Sequence, residues 1–153
     1  RPAVFIGLLE ALKDHNLVLF NQDIKKDNFC FPLGTKIDNN LLINEPQKNL
    51  LGYFDPITQY TTTTARVNGW VGNSDKIKCI AILNQDKIVR GFAMSGFPRP
   101  DVEKIVGSEV KSSGWKGYIE ASPDDILEAY ASFKNNPRWV VLRDRRSLIN
   151  HSL

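Results

Sequence analysis

The chain has 153 residues, 42% of them apolar and 24% charged, a balance that excludes a disordered or fibrous protein and fits one domain able to bury about 70% of its unfolded surface. Its 20 Lys and Arg are scattered among 17 Asp and Glu for a net charge of +3, without the concentrated basic stripe of a nucleic-acid binder. Two cysteines, Cys30 and Cys79, are too few for a disulfide framework and match no zinc spacing, which leaves buried thiols or one long-loop bridge as alternatives.

Phe5, Leu8, Leu9 and Leu12 recur at helical spacing opposite Glu10, Lys13 and Asp14, so an amphipathic helix is predicted over Ala3 to Asp14, with Pro2 near its first turn. Leu17 to Phe20 reads as a short buried strand after a turn at His15 and Asn16. From Asn21 to Asp55 the chain is polar and broken by Pro32, Gly34 and Pro46; Phe29 to Phe31 and Leu41 to Ile43 are short apolar pieces suited to a little sheet.

After Pro56 the pattern turns to β. Gln59 to Val71 is rich in Thr, Tyr, Val and Trp, Ile77 to Leu83 is apolar and alternating, and Ile88 to Met94 follows a hairpin loop at Asn84 to Lys87. Another strand is predicted from Trp115 to Glu120. Ser122 to Phe133 supports two readings: Ser122, Pro123, Asp124 and Asp125 form a helix start, while Leu127, Ala129, Ala131 and Phe133 alternate as a strand that Asn135 to Pro137 would turn into a partner at Arg138 to Leu142. The basic cluster Arg138, Arg143, Arg145 and Arg146 reads as solvated and closes the chain.

The order of motifs carries a resemblance. Val67, Asn68, Gly69 and Trp70 end a strand; Asn84, Gln85 and Asp86 and then Ile88 to Gly91 form a hairpin; Ser95 to Val102 reads Ser-Gly-Phe-Pro-Arg-Pro-Asp-Val; Gly114 and Trp115 open a further strand. Over Leu8 to Leu142 this resembles the carboxy-terminal β-sandwich domain attached to polytopic bacterial membrane proteins, some grouped loosely with envelope-glycan enzymes. The resemblance implies a β-hairpin for the segment with two readings. It implies no activity and carries over no catalytic residue.

The expected fold is mainly β: an antiparallel β-sandwich with an N-terminal amphipathic helix and a short helical turn near 101–106. A single domain is expected over 1–153, with a helix and irregular segment at 1–58, the sandwich core at 59–143 and a basic tail at 144–153. Its inner faces are expected to include Val67, Cys79, Ala81, Leu83, Phe92 and Trp115, because strands with one apolar face each require a second layer.

Candidate ligand residues are few. Arg99 and Asp101 suit an oxyanion site, Arg99 binding and Asp101 orienting it, but Asp101 is equally suited to cap the helical turn while Arg99 pairs with it or with backbone carbonyls; the structural role is the expectation. Trp70, Trp115 and Trp139, with Tyr60, Tyr118 and Tyr130, have the area of a sugar-stacking platform, yet such rings also fill cores; core is expected for Trp70 and Trp115, and core or edge for Trp139. His15 and His151 fall in a turn and a tail with no Gly-x-Ser-x-Gly elbow, and Asp124 and Asp125 would face opposite ways in a strand. No catalytic residue, metal or cofactor is therefore expected.

No apolar run approaches the roughly 18 to 20 residues that span a bilayer, no signal peptide is visible, and the chain starts at Arg1, so a segment of a longer protein is expected. The leading functional reading is a noncatalytic accessory or interaction domain of a bacterial envelope membrane protein, on its extracytoplasmic face, positioning glycan. Its expected partners are its own transmembrane region or another envelope protein, with neither nucleic acid nor direct membrane insertion. A carbohydrate-binding module is the alternative, to be recognised by two or more aromatics on one exposed face; a hydrolase or transferase is the least favoured.

Overall fold

A computed structural model describes residues 31–149. The helix expected at Ala3 to Asp14 and the strand at Leu17 to Phe20 lie outside those residues, as do Cys30, His15 and His151.

The described chain is mainly β. Nine strands, β1 (Leu42–Ile43), β2 (Gly52–Phe54), β3 (Gln59–Tyr60), β4 (Thr64–Val71), β5 (Ile77–Leu83), β6 (Val89–Phe97), β7 (Gly114–Glu120), β8 (Glu128–Phe133) and β9 (Asn136–Val141), belong to one mixed sheet. One α-helix, α1 (Pro100–Val106), follows β6 and accounts for the helical turn read from the sequence. The strand order is β1-β9-β8-β5-β6-β7-β4-β2, with β3 also on β4. Every neighbouring pair is antiparallel except β1 and β9.

Two stacked sheets were expected; the hydrogen bonds instead link all the strands into one sheet that curls until its far edge meets the chain beyond β9. Tyr53 of β2 bridges Arg143 in parallel, and the Phe54 N–H donates to the Arg143 carbonyl at 3.0 Å. Leu127 and Arg146 then exchange two backbone bonds of 2.7 and 2.9 Å. Curling gives each strand's apolar face its cover from the same sheet and ties up edge groups that would otherwise be unpaired.

Small residues make the curl tight. A side chain at Gly117 would strike the Phe92 carbonyl and one at Gly91 the Tyr118 carbonyl, so β6 and β7 wrap closely where those glycines sit. Ala65, Ala93, Ala129 and Ala131 also face inward and leave room for the fully buried Trp115 and Phe54, whose rings meet edge to face at 5.5 Å. Alternating small and large side chains is how a narrow curled sheet fills its interior.

The interior differs from expectation along β5. Val67 and Trp115 do lie inside, but Cys79, Ala81, Leu83 and Phe92 face the other way, and Ile80 and Ile82 are the inward pair. Both faces of β5 are apolar because both are covered: Ile37, with Phe31 and Leu33 beside it, packs in the cluster on the outer face, which Leu42 of β1 joins from the sheet's edge. The irregular segment thus forms an outer layer. The sheet also begins before residue 59, since β1 and β2 come from that segment.

Residues 122–133 form no helix. The Asp125 carboxylate accepts the Ser122 N–H at 3.0 Å and makes a turn, after which β8 and β9 pair as a hairpin. Helix-start signals are local, whereas a period of two places Ala129 and Ala131 inside and Tyr130 outside, and burial overrides propensity. The hairpin loop at Asn84 to Lys87 forms where expected, closed by the Asn84 side-chain carbonyl, which accepts the Asp86 and Ile88 N–H groups at 3.0 Å.

The basic cluster expected to be solvated is so only in part, with Arg145 exposed. Arg146 is buried and donates to the Phe54 carbonyl at 3.1 Å, while Arg143 donates to the carbonyls of Leu50 and Gln47. Arg138 reaches the Leu42 carbonyl at 2.9 Å. These guanidiniums satisfy backbone acceptors where the sheet closes, a use that a list of charges does not reveal.

Candidate functional site

The five residues singled out from the sequence do not form one site. The three indoles fall in three separate apolar clusters: Trp115 inside the curled sheet, Trp139 under the outer layer with Phe31 at 6.0 Å, and Trp70 beneath Val102 of α1 with Tyr53 at 5.3 Å. All three are buried, so they make no stacking platform. Tyr130 is buried as well, its hydroxyl donating to Asn44 Oδ1 at 2.7 Å and accepting from Lys87 Nζ at 3.1 Å, and burial pushes its phenol up.

The Gly-Trp pairs explain one another. Antiparallel register sets Gly69 opposite Trp115 and Trp70 opposite Gly114. Each ring has a glycine across the strand: a Cβ at Gly69 would strike the Trp115 ring, and one at Gly114 would meet Arg99 Cγ at 2.8 Å. The motif therefore packs aromatics and the Arg99 stem, and its repetition in two strands follows from their pairing.

Arg99 and Asp101 do come together, through a bidentate pair: Nε to Oδ1 at 2.9 Å and Nη2 to Oδ2 at 2.8 Å. The guanidinium also donates through Nη1 to Asp55 Oδ2 at 2.8 Å and to the Gly69 carbonyl at 3.0 Å. One side chain thus ties α1 to β4 and to the end of β2. Asp101 is not the cap that was expected. Arg99 occupies the N-cap position without a side-chain cap bond, Pro100 opens the helix, and Asp101 lies in its first turn. With four donor contacts made inside the protein, the guanidinium is a clamp rather than an open oxyanion site. Asp55, the third member, was missed because nothing local marks a carboxylate 44 residues away in sequence.

The two carboxylates respond oppositely. Hydrogen bonding to Arg99 holds Asp101 down to about 2, whereas burial raises Asp55 above its ordinary 3.8 despite the same cation. A lowered folded-state pKa contributes stability above the unfolded value that is lost as pH falls through about 2; a raised one makes ionisation oppose folding as pH rises through the folded value. Carbon-detected NMR titration should therefore protonate Asp55 before Asp101. Coincident midpoints would contradict the arrangement around Arg99.

A different surface is open. On the outer face of β4 and β7 a groove of about 320 Å³ is lined by Gln59, Arg66, Asn68, Phe97, Lys116 and Tyr118, with Thr58, Val67 and Gly117 completing its walls. Register makes it: Arg66 pairs with Tyr118, Asn68 with Lys116, and Gln59 with Arg66, so alternate positions on three strands share one face. Arg66 sits 5.5 Å from the Tyr118 ring centre and Lys116 Nζ 5.0 Å from that of Phe97. The volume is at the small end of the range of about 300 to 1,000 Å³ for ligand clefts.

Of the groove residues only Tyr118 was among the candidate ligand residues named from the sequence. The alternation was legible, since Arg66 and Asn68 punctuate Ala65, Val67 and Gly69 while Lys116 and Tyr118 punctuate Trp115, Gly117 and Ile119. The pairing that assembles them was not. Among the described residues no three His, Cys, Asp or Glu side chains gather to hold a metal, and no helix is long and apolar enough to cross a membrane.

No family model matches the chain, and no curated protein matches its sequence.

Proposed function

We propose that this chain is a noncatalytic accessory domain of a bacterial envelope membrane protein and that it positions glycan in the groove across β4 and β7. The groove is the observation that carries the reading. It joins two aromatic rings, Phe97 and Tyr118, to the neutral hydrogen-bonding side chains of Gln59, Asn68 and Thr58 on one accessible face. Aromatic faces stack on sugar C–H surfaces while amides and hydroxyls exchange hydrogen bonds with sugar hydroxyls, the combination that distinguishes saccharide sites from apolar pockets. The envelope setting rests on the motif order from Gly69 to Trp115 and on the resemblance it carries.

A free-standing carbohydrate-binding module shares this groove. The two readings part on whether the domain also docks on its own transmembrane region, which co-purification of the full-length protein with the isolated domain would decide.

The glycan reading is tested by mapping amide shifts while envelope-glycan fragments, neutral and acidic, are added. Shifts grouped at Asn68, Lys116, Gly117 and Tyr118 are expected from at least one fragment. A panel that perturbs none of them would overturn the reading.

A further inference from the structure

We infer that the apolar outer face of the sheet at β5 and β6 seats the chain's own amino-terminal amphipathic segment, residues 3–14, tethered there by a disulfide at Cys79. Cys79 is disulfide-bonded, and in a chain of two cysteines its partner is Cys30. Cys79 lies buried on the outer face, with Ala81 and Leu83 further along the same strand. The bond therefore holds residue 30 over that face. Strand geometry agrees with the pairing. Beyond Phe31 the chain is fixed at the hairpin end of β5 and β6: the Gly34 N–H donates to the Val89 carbonyl at 2.8 Å, the Val89 N–H donates to the Thr35 carbonyl at 2.9 Å, and Val89 stands opposite Leu83. Cys79 precedes Leu83 by four residues, as Cys30 precedes Gly34. Four extended residues reach about 13 Å, so a chain laid along β5 brings Cys30 to Cys79 while Gly34 holds Val89. Phe31 against Trp139 and Leu33 in the outer cluster fit that path.

The chain ahead of the tether consequently starts from the Cys79 end of the face. Ile80 pairs with Ala93, so Met94 of β6 is level with Cys79. There Phe92 and Met94 face outward, and each is only partly buried beside the cluster. The sequence supplies a matching surface: Phe5, Leu8, Leu9 and Leu12 on one side of a predicted helix, with Glu10 and Asp14 on the other. The stretch from His15 to Phe29 between that helix and the tether is long enough to fold the helix back over the face. Docking removes apolar surface from water on both sides of the contact. The tether makes it intramolecular, and the resulting high effective concentration favours this occupant over a second copy or a lipid surface. This docking stands whether or not the groove across β4 and β7 takes glycan.

The test uses the whole chain refolded in a glutathione redox buffer. Mass spectrometry after alkylation should find a monomer without alkyl groups, and a monomer carrying two of them once the chain is reduced first. Two groups without reduction, or a disulfide-linked dimer, would overturn the tether. In the oxidised chain, nuclear Overhauser contacts are expected from the Leu8, Leu9 or Leu12 methyls to the Phe92 ring or the Met94 methyl. Their absence would overturn the docking. Contacts found only between differently labelled chains would give the face to a second copy, and contacts erased by phosphatidylglycerol vesicles would give the stripe to a lipid surface; either result overturns the docking as well. Leu8→Asp combined with Leu12→Asp should abolish the contacts and shift the Met94 methyl resonance, while the Trp115 indole resonance inside the sheet keeps its place. An unmoved Met94 methyl would count against the docking. If that variant fails to fold, the contacts in the parent chain decide.

Discussion

Replacing Trp115 with alanine should lower the unfolding free energy by about 3 to 5 kcal/mol, the range for emptying an aromatic core position. The ring is fully buried inside the curled sheet, lies across Gly69 and meets Phe54 edge to face. Around it the lining is small, Ala65 and Ala93 among it, and backbone held in strand ladders cannot collapse into the space left behind. Trp115→Phe should lose less, because the indole N–H has no hydrogen-bond partner among the described residues and its removal strands no acceptor. Urea unfolding of the three proteins measures both differences. An alanine variant within about 1 kcal/mol of the parent would mean that the interior repacks, contrary to the rigid small-residue lining.

The second large effect is expected at Arg99. Its guanidinium is mostly withdrawn from solvent, at 19% side-chain exposure, and truncation would strand Asp55, itself only 24% exposed, along with the Gly69 carbonyl. Arg99→Ala should therefore lose about 2 to 4 kcal/mol, between the values for exposed and for buried ion pairs. Asp101→Ala should lose less than about 1 kcal/mol, since its carboxylate is 66% exposed and Arg99 keeps Asp55. A capping role for Asp101 would reverse that order. A double variant with Asp55→Asn would relieve the stranded charge and recover part of the Arg99 loss. Thermal unfolding showing Asp101→Ala as the more damaging change would restore the cap.

Local residues determined much of the sheet. Strands near Gln59 to Val71, Ile77 to Leu83, Ile88 to Met94 and Trp115 to Glu120 were legible because β-branched and aromatic side chains repeat there between turn residues, and the Asn84 loop and the helical turn after Pro100 carry their own signals. Tertiary structure decided the rest. Which face of β5 is interior was not legible, because Ile77 to Leu83 is apolar on both sides and only the outer cluster around Ile37 explains why. The closing of the sheet through Tyr53 and Arg143 depends on a contact across 90 residues, which no local pattern encodes. Pairing of Arg99 with Asp101 or a backbone carbonyl was legible, but Asp55 and Gly69 as its further partners were not, and Arg66, Asn68, Lys116 and Tyr118 were ordinary outward positions on separate strands until register set them side by side. A strand's alternation states that a residue faces outward; only its partner strand states what it faces outward beside, because register is fixed by the packing of the whole sheet.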